Sequence, residues 1–273
     1  MHLIVHSKST KGFAEDYARK NSLQLVELVD VNTIKEPKPI ENRIVVGIGG
    51  GKVIDYAKIL AGNKPCIAIP TTAAGAASTS HAVYWDPKKK RKTNIKTQLP
   101  EVHIECEYVQ TLTENMLHET LYDAMGHIFD SYWSKNATLD STFFSRQAHK
   151  WLMNYIDKDE NKRDNIDVVQ IGNMAGKAIE ITKTNMAHAI SYPLTALYGI
   201  SHGMAVGWAL RPCHDWQHCD LELPPVDISL DGINEDDAFL ETIVKEAMTY
   251  DKIHDGKKDI TEKELKSLLE AYK

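Results

Sequence analysis

Four positions in this 273-residue chain combine residue type and spacing in a way that could hold a metal ion. In "LYDAMGHIFDSYWS", Asp123 and His127 stand four apart in a helical pattern. They lie about 40° from one another around the axis, so both side chains can reach one point. In "NMAHAISYPLTALYGISHG", His188 and His202 are fourteen positions apart. Pro193 is expected to end one helix shortly after His188, and Gly199 to Ser201 to begin another whose first turn carries His202. The chain then folds back on itself and the two imidazoles can converge. One carboxylate and three imidazoles suit Zn²⁺ or Fe²⁺ and leave a coordination position for a substrate oxygen. A lone histidine on a helix is more often a surface or core residue, and with 12 histidines such a spacing also arises by chance, so the pattern alone leaves both readings open.

A second kind of chemistry is suggested by "RIVVGIGGGKVIDYAK", which places Gly47, Gly49, Gly50 and Gly51 between a strand pattern and a helical one. Glycines there let backbone N–H groups approach a diphosphate at the positive end of a helix dipole. A ligand-free tight turn explains the same residues, and three consecutive glycines are not the usual dinucleotide spacing. The segment "PTTAAGAAS", Pro70 to Ser78, adds a second small-residue loop with hydroxyls after the next strand. Two such loops at the ends of neighbouring strands favour a nucleotide.

The elements needed to position these residues follow from periodicity. "HLIV", "LQLVEL", "RIVVGI" and "CIAIP" read as strands, with helical patterns in "KGFAEDYARKN" and "GKVIDYAKILAG" between them, the signature of a parallel sheet. "HAVYWDPKKKRKTNIKT" reads as a hairpin with a polar tip. From about Thr113 the period is helical, with helices expected over 114–135, 140–156, 165–190, 203–217, 235–249 and 261–272. "DLELPPVDISLDGINEDD" has prolines, acids and no period, and reads as a loop. The resulting fold class is an α/β N-terminal nucleotide-binding domain, residues 1–108, followed by an all-α C-terminal metal-binding domain, residues 109–273.

The succession "GIGGGKVIDYAK", "PTT" with small residues, "DAMGH" and "AHAISYPLTALYGISHG" resembles the iron-containing (group III) alcohol dehydrogenase and glycerol dehydrogenase superfamily, across roughly Ile44 to Ala209. "DSYWSKNATLDS" and the tyrosine of the last motif look most like its phosphonoacetaldehyde reductase branch. The resemblance implies a dehydroquinate synthase-like architecture, NAD(P)H and a divalent metal, Fe²⁺ or Zn²⁺. It makes Asp123, His127, His188 and His202 the metal ligands. It makes Gly49, Gly50, Gly51 and Asp55 the diphosphate turn, and Thr71 and Thr72 part of a second cofactor loop. The implied reaction is reduction of a small aldehyde, with phosphonoacetaldehyde giving 2-hydroxyethylphosphonate as the leading case. A glycerol or glycerol-phosphate type carbonyl compound and a non-catalytic nucleotide- or partner-binding scaffold are the alternatives. Many relatives carry a proton-shuttling histidine where this chain has Tyr192, so Tyr192 joins His202 as a candidate catalytic residue; packing explains Tyr192 equally well.

The chain is shorter than a typical member. After the second strand only "DVNTIKEPKPIEN" remains where a helix is usual, and Asp30 is the nearest acidic residue able to select NAD over NADP. The basic run "DPKKKRKTN" is read first as a solvated hairpin tip; the functional reading has Lys90 or Lys92 holding a phosphonate or phosphate. "CHDWQHC" has two cysteines and two histidines, but on one helix they point in different directions. Trp133, Trp151 and Trp208 read as packing anchors.

Composition bounds the rest. At 42% apolar and 26% charged residues the chain reads as a globular protein, and a net charge of -6 with pI near 6.1 opposes nucleic-acid binding. Four scattered cysteines without a secretory pattern suggest a reducing, cytoplasmic setting, and about 18 consecutive apolar residues, as a membrane span needs, occur nowhere. A small-molecule substrate and a homo-oligomer are the partners expected.

Overall fold

The protein is described from a computed structural model over residues 1–86, 91–109, 112–226, 228, 230 and 236–272. It divides into two compact units, Met1–Leu117 with Lys158–Gly176, and His118–Asp157 with Lys177–Lys273.

The first unit contains β1 (His2–His6), α1 (Lys11–Lys20), β2 (Val26–Asp30), β3 (Ile44–Gly49), α2 (Gly51–Ala61), β4 (Ile67–Pro70), β5 (His81–Asp86), β6 (Arg91–Lys96), β7 (Glu101–Val102) and α3 (Cys106–Val109). Five strands form a parallel sheet in the order β2-β1-β3-β4-β7. Successive residues of β1 feed opposite faces: Leu3 and Val5 pack with Val45, Val53 and Leu60, whereas Ile4 packs with Ala14, Val46 and Ile69. Both faces are apolar, as a parallel sheet covered on each side requires. The strand order reverses between β1 and β3, the point at which open α/β sheets leave a crevice at the strand ends. β5 and β6 pair antiparallel as a separate hairpin. β2 begins three residues later than "LQLVEL" suggests, and β7, two residues long, is too short to leave a periodic signal.

The remaining helices are α4 (Glu114–Tyr132), α5 (Leu139–Ile156), α6 (Asn165–Thr182), α7 (Met186–Tyr198), α8 (His202–Trp216), α9 (Asp237–Ala247) and α10 (Glu262–Glu270). The helix expected over 165–190 is two helices. Lys183 adopts a left-handed φ of 65° after α6, and Asn185 caps α7, its side-chain oxygen accepting from the Met186 N–H. Pro193 does not end a helix as expected. It lies inside α7, which continues to Tyr198 and stops at Gly199, φ 71°. A proline there deletes one backbone hydrogen bond. The buried run from Met186 to Leu194 packs tightly enough to hold the helix regardless. Gly199 supplies the left-handed end, its N–H bonding to the Leu194 carbonyl. Between α8 and α9 the described residues form no helix or strand, and no helix among the described residues is long and apolar enough to cross a membrane.

Candidate functional site

The expected arrangement of an N-terminal α/β region and a C-terminal helical region is the one the chain adopts, and the second unit brings the proposed ligand residues together. Asp123 and His127 project from one stripe of α4, His188 from the first turn of α7, and His202 from the first residue of α8. Asp123 Oδ1 lies 3.6 Å from His127 Nε2, 3.4 Å from His188 Nε2 and 3.5 Å from His202 Nε2. One ligand atom each from Asp123, His188 and His202 fall within 4.8 Å of one another, and the His127 ring stacks on His188 at 4.8 Å. Ligands about 2.0–2.1 Å from a tetrahedral cation stand about 3.4 Å apart, so the separations fit a cation at the centre. Asp123 Oδ1 and His188 Nε2 are buried and carry no well-formed hydrogen bond. Two buried ligand atoms that face one another without such a bond fit a cation between them.

Two glycines permit this approach. A Cβ on Gly126 would stand 2.3 Å from Val206 Cγ1 and 2.9 Å from His188 Cε1, and one on Gly203 would stand 1.9 Å from the Glu119 carbonyl oxygen. The carboxylates and imidazoles of the cluster shift one another. Burial works against charge on Asp123, but the imidazoles, His127 foremost, hold its carboxyl far below the usual carboxylate range. Burial likewise opposes a proton on His188, but Asp123 and Asp130 outweigh it and raise the ring to about 9. The site thus attracts positive charge, and a cation binding there competes with that proton.

Asp130 was not singled out by sequence reasoning, although it continues the stripe of Asp123 and His127 at the next helical step. It is fully buried, and its carboxylate accepts from the N–H groups of Asn185 (2.8 Å), Ala187 (3.0 Å) and His188 (3.3 Å) and from His188 Nδ1 (2.8 Å). Asn185 in turn donates to the Asp130 carbonyl at 2.5 Å and accepts from Trp133 Nε1 at 2.7 Å, so Trp133 is the anchor expected. Tyr192 is buried with its ring stacked 6.1 Å from that of His202. Its hydroxyl is 3.3 Å from Thr184 Oγ1, which accepts from Lys252 Nζ at 3.1 Å. His214 of "CHDWQHC" is bonded to the Leu221 carbonyl, and Cys213 and Cys219 are free thiols.

In the first unit, Gly49 ends β3, Gly50 is the N-cap of α2 and Gly51 its first residue. The Thr71 N–H bonds to the Gly49 carbonyl at 3.1 Å, and Thr72 packs against Gly50, so the two small-residue loops lie side by side. Asp55 is turned to Lys58 at 2.9 Å, and the wholly buried Lys58 amine donates to the carbonyls of Ala76 (2.8 Å) and Thr79 (3.3 Å). Asp55 therefore acts on the second loop through Lys58. Asp30 ends β2 and accepts from the Asn32 N–H and side-chain amide, while Asn32 accepts from Lys52 Nζ at 2.9 Å. Sequence reasoning expected a helix here but missed how closely α6 approaches this loop: Cβ atoms on Gly172 and Gly176 would stand 1.8 Å from the Ala73 and 2.6 Å from the Gly75 carbonyl oxygens. Their spacing of four, in "IGNMAGKA", is the signal that could have revealed a close approach. Lys90 lies outside the described residues; Lys92 belongs to β6, with its side chain outside them.

Known proteins resemble this chain both in sequence and in fold. Residues 6–104 match the model of iron-containing alcohol dehydrogenases, and residues 117–213 match the C-terminal model of the Fe-containing alcohol dehydrogenase family. The chain is 26% identical over 219 residues to a phosphonoacetaldehyde reductase of Streptomyces viridochromogenes, covering 67% of this chain and 55% of the relative. It is 28% identical over 203 residues to a 4-hydroxybutyrate dehydrogenase of Clostridium kluyveri, covering 64% and 54%, so it spans about half the length of these relatives. In fold it resembles the sulfoacetaldehyde reductase of Bifidobacterium kashiwanohense solved with NAD⁺, at TM-score 0.80 and 19% identity over 99% of this chain and 90% of that one. The iron-containing alcohol dehydrogenase of Thermotoga maritima gives 0.78 and 21%, over 99% and 91%.

Proposed function

Because this chain belongs to the iron-containing alcohol dehydrogenase family, we propose that it is a metal-dependent, NAD(P)H-linked reductase of a small aldehyde, with phosphonoacetaldehyde as leading substrate and 2-hydroxyethylphosphonate as product. The observation that carries the reading is the convergence of His127, His188 and His202 Nε2 on Asp123 Oδ1 at 3.4–3.6 Å. These four residues hold the divalent cation, Fe²⁺ or Zn²⁺. When bound, it supplies Lewis-acid stabilisation of the negative charge that develops on a carbonyl oxygen during reduction, worth several kcal/mol. His202, 34% exposed where His188 is 1%, is the ligand most open to a substrate. Tyr192 is the candidate proton donor, and Thr184 and Lys252 form the route that reprotonates it.

In the first unit, Gly49, Gly50 and Gly51 hold the cofactor diphosphate, Thr71 and Thr72 line the second loop, and Asp55 keeps that loop in place. Asp30, at the end of β2, selects NAD. Lys90 and Lys92 are the partners assigned to a phosphonate. The domain division at 108/109, a cytoplasmic setting and a homo-oligomer complete the proposal. An anionic tail on the substrate is supported by the names of two relatives, since phosphonoacetaldehyde and 4-hydroxybutyrate each carry one.

The test is nicotinamide absorbance with a panel of short aldehydes, with Fe²⁺, Zn²⁺ or a chelator present. Activity is expected only with a divalent ion, competition from 2-hydroxyethylphosphonate but not glycerol, and collapse in His202→Ala. Competition by glycerol alone would favour the polyol alternative. A metal-free wild-type protein of unchanged stability, inactive with every aldehyde, would favour the scaffold.

A further inference from the structure

We propose that Asp130 is a positioning residue for the metal centre: it locks the His188 ring in the form that offers Nε2 to the cation, and it anchors the helix that carries that ring. The inference rests on the metal-binding reading above. Asp130 touches none of the converging ligand atoms and acts through the His188 ring and the start of α7.

A histidine can offer either ring nitrogen, and the hydrogen bond made by the other decides which. Here Nδ1 lies 2.8 Å from Asp130 Oδ2 and Nε2 lies 3.4 Å from Asp123 Oδ1. The carboxylate cannot donate, so Nδ1 carries a hydrogen, and Nε2 is the nitrogen left to a cation that displaces its proton. Oδ2 also accepts the backbone N–H groups of Asn185 and His188, and Oδ1 accepts that of Ala187. These are first-turn donors that α7 itself cannot satisfy. The ring and the helix start are therefore referred to one carboxylate, and the imidazole cannot rotate without breaking a charge-assisted bond in a fully buried place. Asp130 is itself held, since its own carbonyl accepts from Asn185 Nδ2 and Asn185 is fixed by Trp133. An amide of the same shape fails here, because its NH₂ would face N–H donors where an oxygen now accepts.

The experiment compares wild type, Asp130→Asn and Trp133→Phe, each stripped of metal and confirmed folded. Zn²⁺ affinity is measured by competition with a chromophoric chelator, thermal midpoints without metal, and the visible spectrum after Co²⁺ loading. Trp133→Phe loses the neighbouring bond to Asn185 but leaves the His188–Asp130 pair in place, so it controls for general destabilisation. Asp130→Asn is expected to bind Zn²⁺ about ten- to a hundredfold more weakly and to shift the Co²⁺ bands; Trp133→Phe is expected to lose midpoint and keep affinity. Wild-type affinity in folded Asp130→Asn overturns the proposal, as does an equal affinity loss in Trp133→Phe. Should Asp130→Asn not fold, ¹⁵N NMR of Zn²⁺-loaded wild type decides: a ring proton on His188 Nδ1 is expected, and a proton on Nε2 refutes it. Failure of the wild type to bind Zn²⁺ or Co²⁺ overturns the metal reading itself, a result distinct from equal binding by wild type and variant.

Discussion

Replacing Gly126 with alanine tests the metal centre through packing alone, without substituting a ligand. Alanine in a helix interior ordinarily gains about 1 kcal/mol over glycine. Here the new methyl would stand 2.3 Å from Val206 Cγ1, a residue with no exposure. That is more than about 1 Å inside ordinary carbon–carbon contact at 3.5–4.0 Å. Val206 is β-branched and confined to one rotamer in its helix, so α8 must move as a body. Overpacking of this kind costs about 1–3 kcal/mol, and the helix gain offsets part of it, leaving a net loss of about 0–2 kcal/mol. The metal is more sensitive than the fold. The same methyl would lie 2.9 Å from His188 Cε1, so the ring must yield by about 0.5 Å, against a tolerance of about 0.2 Å in ligand distance. We expect Gly126→Ala to keep its fold by circular dichroism, to melt slightly lower in chelator, and to bind Zn²⁺ at least about tenfold more weakly. Gly12→Ala, whose methyl meets nothing within 4 Å, is the matched control. Wild-type Zn²⁺ affinity in Gly126→Ala would refute the reasoning, since α8 and the His188 ring could not then lie where they are described.

Further predictions follow from the same geometry. In metal-free protein His188 is raised from 6.5 to about 9, so its contribution is complete below about pH 6.5 and lost as pH rises through about 9. Chemical denaturation in chelator should show up to about 3 kcal/mol of stability disappearing across that window, and a flat profile would count against the Asp123–His188–Asp130 arrangement. Gly172→Ala drives a methyl into the Ala73 carbonyl oxygen; fluorescence titration should show weaker NADH binding with Zn²⁺ affinity unchanged. Tyr192→Phe removes only the hydroxyl near Thr184. If Tyr192 is the proton donor, kcat falls by about 10²–10⁴ with metal content unaltered; unchanged kinetics would show the ring to be packing alone.

What the sequence made legible was local. Asp123 and His127 share a helix face by simple periodicity, and the glycine turn stands between unmistakable strand and helix patterns. The convergence of His188 and His202 was also legible, but by a partly mistaken route. The expected reversal at Pro193 does not occur; the chain breaks earlier, at Lys183 to Asn185, and reverses later, at Gly199. Propensity assigns proline a helix-ending role, and here burial of Met186 to Leu194 overrides it. Asp130 escaped because a carboxylate on a helix usually faces solvent, and its burial depends on donors from α7, more than fifty residues away. Gly126, Gly172 and Gly176 escaped for a related reason: a glycine within a helix says that something comes close, never what.

The knot around Asp130 reverses the usual gradient of mobility along a helix. Opening amides are ordinarily the quickest to trade hydrogen for deuterium, because nothing in the helix restrains them. Those of Asn185, Ala187 and His188 are bonded to a carboxylate sealed from water, so exchange there must wait until α4 and α7 part company. The beginning of α7, rather than its middle, is where this region would be last to loosen.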